Sequence, residues 1–114
     1  MSLPYDNNTY KVKPLHIHDG DTFTGEVDLG FNVRFTMTFR LEGLNTPEVV
    51  GKEKAAGLTS KAFLVGKMDN AKEVLVKTKK KKEKYGRYLA TVFCDGVNVN
   101  EQLIKEGYAV PVIY

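Results

Sequence analysis

Apolar and polar positions alternate along one stretch of the chain: Val33, Phe35, Met37, Phe39 and Leu41 are apolar, with Arg34, Thr36, Thr38 and Arg40 between them. A period of two belongs to a strand with one buried face, so this stretch reads as a half-buried strand. Two extended segments precede it, Tyr10–Ile17, where Pro14 marks an edge or a bend, and Thr22–Leu29. Asp19-Gly20-Asp21 makes a tight turn between those two, and Gly30-Phe31-Asn32 turns the next hairpin. After a polar loop from Pro47 to Lys54 the period changes. Ala55, Leu58, Ala62, Val65 and Met68 recur at spacings of three and four, which predicts a helix, weakened by Gly57 and Gly66. Glu73–Thr78 and Tyr88–Cys94 are strand-like, and Asp95-Gly96 is read as a hairpin turn with no other role. A last helix is expected from an N-cap at Asn100, with Val99 and Ile104 at hydrophobic-staple spacing, to a stop at Gly107. The closing segment, Tyr108–Tyr114, contains Pro111 and reads as extended coil. Three strands, a helix, two strands and a helix suit an α+β body around a small barrel.

A chain of 114 residues has room for one domain, taken as residues 1–114, so all of its chemistry must share one compact body. No apolar run reaches the length of a membrane span, which argues against insertion into a membrane. Met1-Ser2-Leu3-Pro4-Tyr5 shows no signal peptide, and the compartment stays open. The lone cysteine, Cys94, has no internal disulfide partner and lies in an apolar stretch, as a small buried hydrophobe does. Net charge is only +3, yet six lysines fall between Lys77 and Lys84. Such a run is a solvated loop, a strand end or a patch that attracts phosphate.

Four polar clusters carry candidate chemistry: Asp19 and Asp21 on a turn, Arg40 on the polar face of the alternating strand, Asn45-Thr46-Pro47-Glu48 just after it, and Tyr85-Gly86-Arg87 after the lysine run. Carboxylate and amide oxygens at the ends of adjacent strands suit a hard cation such as calcium or magnesium. Arginine pairs suit a phosphodiester, whose oxygens gain negative charge in the transition state. A nearby glutamate suits proton abstraction from an attacking water. His16 and His18, two apart on one strand face, admit zinc, but without a cysteine or a third histidine a solvent-facing or packing role is favoured. Tyr5, Tyr10, Tyr88 and Tyr108 are expected to pack.

The stretches Asp19-Gly20-Asp21-Thr22, Met37-Thr38-Phe39-Arg40-Leu41, Thr46-Pro47-Glu48, Lys84-Tyr85-Gly86-Arg87 and Asp95 to Glu101 together resemble the staphylococcal nuclease (thermonuclease) family. The resemblance implies a five-stranded OB-fold β-barrel with two helices packed on it, lacking the family's third, C-terminal helix. It implies calcium-dependent hydrolysis of DNA and RNA, single strands favoured, to 3′-phosphate products by a monomeric endonuclease. It assigns Asp21, Asn45 and the Thr46 carbonyl to the metal, with Asp19 supporting them. It makes Glu48 the general base and gives the phosphate to Arg40 and Arg87. Lys84 and Tyr85 then contact the nucleotide's other phosphate, and Tyr114 stands where an aromatic stacks on the base. The best-known members carry aspartate at the place of Asn45. An amide oxygen still ligates calcium but brings no charge, so weaker metal binding is expected. The hairpin around Gly30 is longer and the loop after Glu48 shorter than in the best-known member. The competing expectation is a weak or inactive OB-fold module that only binds nucleic acid or protein. Retention of Asp21, Arg40, Glu48 and Arg87 favours catalysis.

Overall fold

A computed structural model describes residues 8–82 and 85–112. The chain opens with a three-strand meander, β1 (Thr9–Asp19), β2 (Thr22–Asp28) and β3 (Arg34–Leu41), all antiparallel. A two-residue strand, β4 (Leu44–Asn45), and a 3-10 turn at Gly51–Glu53 lead into helix α1 (Lys54–Asn70). Strands β5 (Val74–Lys82) and β6 (Tyr88–Cys94) follow, then the short β7 (Val97–Asn98), helix α2 (Val99–Lys105) and the short β8 (Val110–Pro111). β5 pairs with the free edge of β1, β6 pairs with β5, and β6 returns to β3 in parallel register, Phe39 opposite Tyr88. That last pairing closes β1, β2, β3, β5 and β6 into a barrel. The result is the expected α+β OB-fold with its two helices.

The barrel is filled by Phe23, Val27, Phe39, Leu41, Val76, Ala90 and Val92. Phe23 and Phe39 face each other across β2 and β3 with ring centroids 5.4 Å apart. Leu64 and Met68 of α1 and Val99 and Leu103 of α2 extend the same core. Tyr10, Tyr88 and Tyr108 pack against it as expected, whereas Tyr5 lies outside the described residues. Cys94 is buried, and that burial, with the charge of Asp95, raises its thiol to about 11. No helix among the described residues is long and apolar enough to cross a membrane.

Three expectations about buried faces and caps need correction. The alternating strand is half buried only where it crosses the barrel: Phe39 and Leu41 are buried, but Val33 and Phe35 are 50% and 60% exposed on a hairpin that runs past the core. Periodicity reports that one face is apolar, not that something covers it. The inward face of α1 is Gly57, Ser60, Leu64 and Met68, while Leu58 of the expected stripe is exposed. Small residues are chosen there because the helix must come close to the chain beneath it: a Cβ on Gly57 would lie 2.0 Å from the Glu48 carbonyl oxygen. Helix α2 is capped by Asn98, whose side chain accepts from the Glu101 amide at 3.0 Å, and not by Asn100.

Asn100 is buried instead and ties three segments together. Its Oδ1 accepts from the Val92 amide, and its Nδ2 donates to the carbonyls of Glu42 and Ala90. The expected stop holds: Gly107 has φ +82°, and Tyr108 and Gly107 donate to the carbonyls of Leu103 and Ile104 in a Schellman arrangement. Asp95 does more than turn a hairpin, since its carboxylate accepts from the amides of Lys72 and Glu73 and clamps the link between α1 and β5.

Candidate active site

One cleft of about 630 Å³ gathers Asp19, Asp21, Arg40, Asn45, Thr46, Glu48, Tyr85 and Arg87, which are separated by up to sixty-odd positions along the chain. Each reaches it from a barrel-strand end or an adjoining loop. Asp19 and Asp21 flank Gly20 in the turn between β1 and β2, and the Asp21 amide donates to Asp19 Oδ1 at 3.1 Å. Gly20 has no room for a side chain: a Cβ there would lie 2.8 Å from both Ser60 and Thr46. The turn, the Thr46 loop and α1 are thereby packed together. Arg40 arrives from the end of β3, and the Leu41 amide donates to the Asp21 carbonyl, which couples the two strand ends.

Asn45 is held by the far end of the described chain. β4 pairs with β8, Asn45 opposite Val110, and the Val112 amide donates to the Gly43 carbonyl at 2.8 Å. The segment expected to be coil is therefore a strand where it meets Asn45. Ser60 Oγ donates to the Tyr108 carbonyl at 2.6 Å, so α1 fixes that segment too. Arg87 precedes β6 on the opposite wall, its guanidinium carbon 5.3 Å from the centre of the Tyr85 ring and its Nη1 3.4 Å from Thr22 Oγ1.

The Asp21 carboxylate is thoroughly engaged. Its Oδ1 accepts from Thr22 Oγ1 at 3.1 Å, and its Oδ2 accepts from the Thr46 amide at 3.0 Å. Arg40 Nη1 lies 2.7 Å from the same Oδ2, at an angle outside hydrogen-bond geometry, so that contact is an ion pair more than a directed bond. Arg40 Nη2 donates to Asn45 Oδ1. Burial works against charge on Asp21, but hydrogen bonds from Asp19, the Thr46 amide and Thr22, with the Arg40 charge, outweigh it and hold the carboxyl below its ordinary range. Asp19 moves the other way, up to about 6, through burial first and then its contact with Asp21. The two crowded carboxylates are thus pushed apart, Asp19 upward and Asp21 downward.

These oxygens suit a hard divalent cation: carboxylate from Asp21, amide from Asn45, and the Thr46 loop beside them, with no nitrogen or sulfur donor. Thr46 Oγ1 is buried without a hydrogen-bond partner, a further oxygen facing no donor. Among the described residues no three His, Cys, Asp or Glu side chains gather as a self-sufficient metal site. The donor set would hold a cation through one carboxylate, Asp21, supplemented by neutral oxygens.

Every expected site residue within the described part of the chain lines this cleft; Lys84 and Tyr114 lie outside it. His16 and His18 do not join it. Their rings meet edge to face at 4.4 Å on the exposed side of β1. The cleft also holds two residues that sequence reasoning missed, Glu53 and Tyr108. Glu53 carried no signal beyond an acid near a helix start. Tyr108 read as core, and it is both: it stacks on Phe63 at 4.6 Å and lines the wall beside Asn45.

The profile of the family described as staphylococcal nuclease homologue matches residues 38–114. An uncharacterized protein of Bacillus anthracis is 40% identical over 107 residues, covering 90% of this chain and 47% of its own length. An uncharacterized protein of Methanocaldococcus jannaschii is 30% identical over 125 residues, covering 88% of this chain and 58% of its own. A thermonuclease of Staphylococcus hyicus is 33% identical over 107 residues, covering 91% of this chain and 59% of its own. The chain thus spans about half of the length of the curated relatives it matches.

Proposed function

Since the chain belongs to the staphylococcal nuclease homologue family, we propose that it is a calcium-dependent endonuclease that hydrolyses DNA and RNA to 3′-phosphate products. The observation that carries this reading is the convergence of Asp21, Arg40, Glu48 and Arg87 on one cleft. A carboxylate that stays ionised, two guanidinium groups and an exposed carboxylate on a loop are the parts phosphodiester hydrolysis needs, and here they share one space.

Asp21, Asn45 and the Thr46 carbonyl would hold the calcium, and the ion, when bound, supplies positive charge against the phosphate. Glu48 accepts a proton from water as its oxygen bonds to phosphorus. Arg40 and Arg87 donate to the non-bridging oxygens, where charge accumulates, and their planar forks fix the phosphate's orientation. The bond from phosphorus to the 5′ oxygen breaks, that oxygen takes a proton from solvent, and the 3′ oxygen keeps the phosphate. Asp19 supports Asp21 by accepting its amide. The backbone under Glu48 is seated on Gly57, which sets how far the carboxylate stands from the phosphate. Single-stranded DNA and RNA are the favoured substrates.

One observation favours the second reading, a catalytically weak nucleic-acid-binding module: Arg40 rests on Asp21 and Asn45, the residues a cation must take over. Cleavage of single-stranded DNA and RNA with calcium and with chelator separates the two. Hydrolysis that requires calcium supports the nuclease. Binding of the same strands without any cleavage supports the module.

A further inference from the structure

A second cleft, of about 450 Å³, adjoins the first and shares Asp19, Tyr85 and Arg87 with it. Its own walls are His18, Thr22 and Thr38, contributed by the polar faces of β1, β2 and β3. The mechanism above uses none of these three side chains for chemistry. They are organised nevertheless: His18 Nε2 is 2.9 Å from Thr24 Oγ1, which is 2.9 Å from Thr38 Oγ1. The relay holds the imidazole across the sheet instead of leaving it free to turn, and His16 abuts it edge to face at 4.4 Å.

We propose that this second cleft binds the nucleobase next to the scissile phosphate, and that His18 is the residue that reads it. The proposal rests on the phosphodiesterase reading and extends it. A phosphate gripped by Arg40 and Arg87 inside a polymer has a nucleoside on each side, and the second cleft opens beside that phosphate. Arg87 lies on the boundary of the two clefts, so a strand whose phosphate it holds continues into the second. Beside the shared Asp19 and Arg87, the walls are the hydroxyls of Thr22 and Thr38, a flat imidazole and the Tyr85 ring, which suit a base that offers hydrogen-bonding edges and a stacking face. Partial desolvation, then the charges of His16 and Lys61, lower the pKa of His18, so the ring offers one donor and one acceptor near neutral pH. The pocket size lies in the range of small-ligand sites.

The test uses trinucleotides that are intact or abasic at one nucleotide or the other beside the cleaved bond, with wild type, His18→Ala and the near-isosteric Thr38→Val. With wild type, kcat/KM should fall roughly tenfold, about the worth of a hydrogen bond or a weak stack, when one flanking base is removed. Both variants should lose most of that preference by cleaving the intact strand more slowly while the abasic one changes little. Two-dimensional NMR of the His18 ring adds a readout independent of turnover: its resonances should move on addition of a methylphosphonate trinucleotide and not of its abasic counterpart. A wild-type enzyme indifferent to both flanking bases, or variants that keep the full preference, would overturn the subsite while leaving the nuclease in place. A wild type that neither cleaves nor binds any of the strands would overturn the nuclease reading and the subsite with it.

Discussion

Arg40 Nη1 lies 2.7 Å from Asp21 Oδ2, while the other terminal nitrogen of the same guanidinium donates to Asn45 Oδ1. One cation of the protein's own therefore occupies two of the three residues expected to hold calcium. Charge balance in the cleft would make the guanidinium and a bound calcium competitors: with the Asp21 and Asn45 oxygens engaged by the ion, Arg40 would be free to turn toward the phosphate.

Removing the competitor should tighten the metal. Arg40→Ala is expected to raise calcium affinity by roughly three- to tenfold, up to about 1.4 kcal/mol, while cleavage falls. Asn45→Asp should also tighten binding, because it adds a charge to the set, but by less than in an Arg40→Ala background, where nothing pairs with the new carboxylate. Titration calorimetry in calcium reads both. Unchanged affinity in Arg40→Ala would remove the competition, and unchanged affinity in Asn45→Asp would mean that Asn45 does not reach the ion.

The carboxylate pair predicts a pH dependence of opposite sign at its two members. Asp19 sits at about 6 against 3.8 for the free side chain, so the folded state prefers it protonated. Its contribution to stability is complete below 3.8 and is lost as pH rises through about 6. Asp21 is lowered, so its contribution is present above 3.8 and is lost as pH falls toward its own folded value. In chelator, Asp19→Asn should therefore stabilise the protein against urea at pH 7.5 more than at pH 4, and Asp21→Asn should destabilise it at pH 7.5. Calcium binding should weaken below about pH 6, by at most about tenfold per unit for one linked proton. A calcium affinity flat between pH 5 and 7 contradicts this assignment.

Two glycines in one helix should answer in opposite directions. Gly57→Ala places a Cβ 2.0 Å from the Glu48 carbonyl oxygen, so the loop must move; a loss of about 1–3 kcal/mol and a slower reaction are expected. A Cβ on Gly66 meets nothing within 4 Å, and Gly66→Ala should gain about 0.5–1 kcal/mol from helix propensity with activity retained. Urea midpoints and cleavage rates of the two variants check both statements. A harmless Gly57→Ala would mean the loop is not seated as described.

The two asparagines at the start of α2 separate what local pattern reveals from what it hides. Asn98→Ala should cost about 1 kcal/mol, the worth of a cap. Asn100→Ala, which removes the side-chain partner of the Val92 amide and of the Glu42 and Ala90 carbonyls, should cost about 2–4 kcal/mol. Chemical unfolding of the pair tests this order, and equal losses would contradict it.

The same contrast runs through the whole chain. Strand periods, the Asp19–Asp21 turn and the Gly107 stop are local, so the five barrel strands and both helices were legible before any coordinates. The site residues were legible for a different reason: their residue types, taken in order, match a known family. Neither kind of reading reports what lies across space. The inward face of α1 was displaced because Gly57 and Ser60 are selected for smallness against the Glu48 and Tyr108 backbones, which no hydrophobic pattern encodes. Phe35 continues the apolar alternation of a core strand yet stays exposed, because the strand outruns the barrel. Arg40 was assigned to the phosphate, and its hold on Asp21 and Asn45 appears only when β3, β4 and the first turn are brought together.

If Glu48 accepts the proton of an attacking water in a calcium-dependent hydrolysis, replacing its carboxylate should slow cleavage and leave strand binding in place. The most direct measurement is the cleavage rate of single-stranded DNA at saturating calcium, wild type against Glu48→Gln, with strand binding measured alongside. The rate should be lower by roughly 10²–10⁴ in the variant, with binding nearly unchanged and no cleavage by either protein in chelator. Equal rates for the two proteins, or cleavage that persists in chelator, would contradict it.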